Sequence, residues 1–154
     1  MASVQAITET KVMPTAGRVQ QFKYSKLVLR VHGSVAIFLG VALTVIGWVG
    51  TYHGAGPMAL LQQHPLTYLG LFQAYLLMSS LGVALWFGSF TANPGRWHVI
   101  GFLAHTPPLA ANLIFWSMIT QYGITHAGVA IHLTFMLIEG GSYLAYRRAS
   151  APRD

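Results

Sequence analysis

The chain has 154 residues, 54% hydrophobic and only 8% charged, with nine Lys and Arg, three carboxylates and no cysteine. Soluble domains carry about a quarter charged residues; at a mean hydropathy of +0.53 this is instead an all-α integral membrane protein with one membrane domain. The missing cysteine excludes disulfides, thiolate nucleophiles, iron-sulfur clusters and Cys-type structural zinc, and the pI near 10 does not signal nucleic acid, because the basic residues flank apolar segments.

Residues 1–24 mix Ser, Thr, Gln, Pro and Gly without an apolar run and read as a mobile cytoplasmic tail, with no secretory leader. The first spanning helix is expected over residues 27–50, preceded by Lys23 and Lys26 and carrying Arg30 in its first turn. Gly33, Gly40 and Gly47 recur every seven residues, a smooth stripe against which another helix can approach closely and a candidate seam for a homodimer. His32 lies off that stripe. The following loop, residues 51–65, has no Lys or Arg, and its apolar middle, residues 58–61, suits a short surface turn of helix. His53 and His64 in it should be solvated.

The second spanning helix is expected over residues 66–90, with Gln73 and Ser80 on one face and Trp86 and Phe90 at the interfacial aromatic belt. Asn93, Pro94 and Gly95 end it, and Arg96 marks that turn as cytoplasmic. The third helix, residues 97–120, sets His98, His105 and Asn112 on one heptad stripe, which is hard to face toward lipid. Pro107 and Pro108 then remove two backbone donors and should kink the helix. The fourth helix, residues 125–146, is apolar enough to span but contains His132 and Glu139 on one face, about 10 Å apart along the axis. An ionised carboxylate at the bilayer centre costs roughly 2.5 to 3.5 kcal/mol on the insertion scale. Glu139 should therefore be neutral, paired or turned inward. Residues 149–154 read as a short cytoplasmic tail.

All Lys and Arg fall at one end of these four segments, so the positive-inside rule makes both termini cytoplasmic. The expectation is four transmembrane helices in an antiparallel bundle. Counting depth at about 1.5 Å per residue sorts the buried polar residues into two layers: His32, His105 and Glu139 near the cytoplasmic side, and Thr44, Gln73, Asn112 and His132 near the other. Candidate ligand or proton-relay residues are thus His32, His105, Glu139, His132, Asn112 and Gln73.

No Walker loop, dinucleotide fingerprint, HExxH or CxxCH occurs, so the sequence names no enzymatic reaction. Three readings stand side by side. The first is an accessory subunit or small-ligand-binding bundle with an intramembrane His/Glu site, in the bilayer as a homo-oligomer or part of a larger complex. The second is a redox or pigment protein in which His32 and His105 ligate haem b or a (bacterio)chlorophyll. The third is a proton-coupled transporter with Glu139 as shuttle. The expected location is a multi-pass position in a bacterial inner membrane.

Overall fold

The computed structural model describes residues 16–120 and 125–151, and among these every regular element is helical. In order they are α1 (Ala16–His53), a 3₁₀ turn (Ala59–Gln63), α2 (Pro65–Gly88), α3 (Gly95–Ile114), α4 (Trp116–Thr120) and α5 (Thr125–Ser150). Local chemistry sets several boundaries. Gly54, at φ +59°, follows α1 in the left-handed conformation and returns its N–H to the Gly50 carbonyl at 3.1 Å, the usual glycine stop. Pro65 opens α2, where its missing N–H loses no helical bond. At the other end, the Ser89 and Thr91 hydroxyls donate to the carbonyls of Trp86 and Gly88, each at 2.7 Å, beside the backbone N–H groups of the same two residues, which reach the same carbonyls at 3.2 and 3.1 Å.

Two antiparallel helix pairs make the molecule. Along α1 the glycine stripe receives α2: a Cβ at Gly33 would lie 2.6 Å from the Gly82 carbonyl oxygen, and one at Gly40 would lie 2.6 Å from that of Tyr75. Gly47 faces the Tyr68 ring in the same way. The stripe expected as a possible dimer seam is therefore filled within the chain. In the second pair α3 packs on α5, and the two pairs join chiefly along α1 and α5, which leaves α2 on the outside.

Three helices, Val19–His53, Pro65–Gly88 and His126–Ser150, are long and apolar enough to cross a membrane. The segment expected as the third span is not among them. It divides into α3 and α4 at Phe115, whose φ of −95° and ψ of 22° leave the helical region, while its histidines, Asn112 and the Thr106-Pro107-Pro108 run lower its hydropathy. The helix passes through both prolines without interruption. Residues 16–24, expected as tail, are the first turns of α1, and Phe22 is anchored edge-on to the Tyr146 ring at 5.1 Å. Residues 1–15 and 152–154 of the expected tails lie outside the described residues. The 3₁₀ turn occupies nearly the stretch expected to be a surface helix.

Burial runs opposite to that of a soluble protein. Ser25, His32, Ser89, His98, Glu139 and Ser142 are buried, whereas Phe38, Leu66, Leu77, Ile114 and Leu137 are each at least 70% exposed. An apolar exterior around a polar interior is what a hydrocarbon solvent requires.

Candidate functional site

Glu139 is completely buried, and its two carboxylate oxygens are taken by two imidazoles from different helices. Oε1 pairs with Nδ1 of His32 on α1, and Oε2 with Nδ1 of His98 on α3. The contacts continue outward on both sides. His98 Nε2 meets the Ser25 hydroxyl at 2.6 Å. His32 Nε2 meets His105 Nε2 at 2.9 Å, and His105 Nδ1 meets His132 Nδ1 at 2.9 Å. Six side chains thus form one line: Ser25, His98, Glu139, His32, His105, His132.

The line follows from heptad spacing. Each helix contributes two members seven residues apart: Ser25 and His32 from α1, His98 and His105 from α3, His132 and Glu139 from α5. Seven residues return a helix close to the same face about 10 Å farther along, so three helices that touch along one seam interleave their polar pairs. Space for the carboxylate comes from Gly101, where a Cβ would lie 3.0 Å from Cδ of Glu139. Phe135, one turn from both His132 and Glu139, stacks on His32 (centroids 4.2 Å apart, planes at 19°) and on His105 (5.1 Å, 6°). It fixes both ring planes.

With Glu139 ionised and the four imidazoles neutral, one placement of hydrogens satisfies every contact, since each ring then has one donor and one acceptor nitrogen. His132 donates from Nδ1 to His105, His105 from Nε2 to His32, and His32 from Nδ1 to the carboxylate. From the other side Ser25 donates to His98, and His98 from Nδ1 to the carboxylate. All donors point toward Glu139, leaving His132 Nε2 as the unoccupied acceptor of this line.

Of the residues singled out in the sequence, the structure brings together His32, His105, His132 and Glu139. Asn112 lies beside Gly128, its Nδ2 3.1 Å from where a Cβ there would be, outside the hydrogen-bonded line. Gln73 is exposed on α2, which does not reach the site, and the Thr44 hydroxyl is buried without a partner while its carbonyl accepts from Tyr68 at 3.1 Å. The expected second layer therefore does not form; His132 joins the first instead. His98 and Ser25 are members that sequence reasoning left out. His98 was visible on the His105 heptad stripe, and Ser25 stands seven residues before His32.

His32 and His105 do not fit an axial pair for a macrocycle. Their Nε2 atoms face each other in direct hydrogen-bond contact, and their other nitrogens are engaged by Glu139 and His132. Among the described residues no group of three or more His, Asp or Glu is arranged to hold a metal ion. No family model, curated protein or solved structure matches the chain.

Proposed function

We propose that this protein is a four-pass membrane proton relay in which Glu139 is loaded and unloaded through two imidazole wings. In this reading α3 and α4 together make the third crossing, α1, α2 and α5 make the others, and the basic end with both termini faces the cytoplasm. The observation that carries it is the meeting of two imidazole-containing wings, drawn from three helices, on one buried carboxylate. Intramembrane carboxylate and histidine chains are the usual parts of proton pathways.

The uptake steps balance without any other group. A proton arriving at His132 Nε2 lets His132 pass its Nδ1 proton to His105 Nδ1. His105 passes its Nε2 proton to His32 Nε2, and His32 passes its Nδ1 proton to Glu139. The carboxylate becomes a carboxylic acid, each ring of that wing has exchanged tautomers, and no charge remains along it. Release through the other wing requires His98 first to lose its Nδ1 proton to water and gain one from water at Nε2. Glu139 then donates to His98 Nδ1 while His98 passes its Nε2 proton to the Ser25 oxygen, and Ser25 gives its own proton to water. Ser25 suits that reversal, because a hydroxyl both donates and accepts.

The test is proton flux into proteoliposomes containing a trapped pH dye, driven by a potassium gradient with valinomycin. Wild-type protein should acidify the lumen faster than empty vesicles, and Glu139→Gln should return the rate to that of empty vesicles. Equal rates for wild type and Glu139→Gln would overturn the proposal. So would a Soret or pigment band that His32→Ala bleaches, which would restore the cofactor reading.

A further inference from the structure

We infer that the basic end of the α3/α5 pair holds a binding site for a phosphate group, supplied by an anionic lipid. A cavity of about 460 Å³ opens between the first turns of α3 and the last turns of α5, lined by Asn93, Arg96, Val99, Ile100, Tyr143 and Arg147, with Gly95 and Tyr146 at its floor. That volume lies in the range of small-molecule sites.

Charge balance identifies the class of ligand. The sequence has three acidic residues against nine Lys and Arg, and Glu139 is the only acidic one among the described residues. Its oxygens are both committed to His32 and His98, more than two helical turns of α5 from Arg147. Arg96 and Arg147, both exposed, thus face one cavity from opposite walls with no carboxylate partner among the described residues. The Arg147 guanidinium lies 6.0 Å from the centroid of the Tyr143 ring, which steers its planar fork. Two guanidinium groups and an Asn amide lining one cavity are chemistry for phosphate oxygens.

The cavity walls distinguish a lipid from a free ion. Val99 and Ile100 are 36% and 42% exposed and continue from the arginines toward the apolar middle of α3, giving an acyl chain a track below its headgroup. Gly95 has no Cβ, and one there would lie 2.5 Å from the Tyr146 ring. The close approach of Tyr146 to α3 at this wall therefore depends on glycine at that position.

The test uses the full-length protein in detergent, with native mass spectrometry against phosphatidylglycerol and phosphatidylcholine of identical acyl chains, and inorganic phosphate alone as a third probe. Wild type should retain phosphatidylglycerol over phosphatidylcholine by roughly thirtyfold, the sum expected for two arginines at a membrane surface. Arg96→Gln/Arg147→Gln should abolish the preference, while Lys23→Gln/Lys26→Gln, which removes two cations outside the cavity, should keep it. Retention of inorganic phosphate with the same arginine dependence, and no lipid preference, would keep the phosphate site but assign it to a soluble ligand. Equal retention of both lipids with no phosphate binding, or equal losses in the two double variants, would overturn the inference. Arg96 and Arg147 are both exposed, and an unchanged melting curve serves as the folding control for each double variant.

Discussion

Gly101 of α3 lies directly under the carboxyl group of Glu139 on α5, so that a Cβ at this position would sit 3.0 Å from Cδ and 3.2 Å from Oε1. The carboxylate cannot yield, because His32 and His98 hold it from both sides. Gly101→Ala should therefore cost about 1–3 kcal/mol through overpacking and lower proton flux by displacing Glu139 from one of its imidazoles. Gly141→Ala is the matched control, since nothing lies within 4 Å of a Cβ there. Equal melting temperatures for the two variants would show that α3 and α5 are not in this register.

Removing the carboxylate and only neutralising it should differ sharply. Glu139→Ala leaves two buried imidazole donors without an acceptor, and truncating one member of a buried charged network costs about 3–5 kcal/mol. Glu139→Gln can present its oxygen to His32 and its amide N–H to His98, with His98 turning its own proton toward Ser25. Denaturant unfolding in micelles should place the Gln variant close to wild type and the Ala variant several kcal/mol below it. Two variants of similar stability would argue against the paired hydrogen bonds to His32 and His98.

On the other side of α1, Gly40→Leu should separate α1 from α2. The new side chain meets the Tyr75 carbonyl and the Ser79 hydroxyl, and helix backbone cannot move aside as a flexible side chain can. Gly70→Ala, at a helical position with open space, should instead gain about 0.5–1 kcal/mol from the lower backbone entropy of alanine. Thermal melts of both variants are the measurement. Unchanged melting for Gly40→Leu would show that the stripe faces lipid.

His32, His105, His132 and Glu139 were legible in the sequence because polar side chains inside apolar helices have few places to go. Ser25 was not, since it falls between the expected tail, residues 1–24, and the expected first span, residues 27–50, where the helix is held by contacts such as Phe22 with Tyr146. Gln73 misled for a different reason. Its heptad spacing to Ser80 is real, but a helix face points inward only relative to neighbours, and α2 has its principal neighbour in α1. Which helices touch is decided by long-range packing of features such as Gly33 against Gly82, and periodicity within one helix does not carry that information. The same gap placed His132 in a separate layer, when α5 slides it next to His105.

The absence of native cysteine makes the proposed four-pass topology directly testable. Ala55→Cys and Thr120→Cys, both at exposed positions, should react with a membrane-impermeant maleimide added from outside intact cells. Asn93→Cys, exposed in the turn between α2 and α3, should react only after permeabilisation. Labelling of Thr120→Cys from the same side as Asn93→Cys would mean that α3 and α4 do not cross.

Because Glu139 is the only carboxyl side chain in the membrane domain, with Glu9 and Asp154 near the two ends of the chain, the protein carries its own infrared label. In most membrane proteins the C=O stretch of a protonated carboxyl group must be assigned by isotope editing or by a series of mutants. Here a difference spectrum between two pH values needs one variant, Glu139→Gln, to assign that band. The position of the band would then report whether this group is bonded to one imidazole or to two.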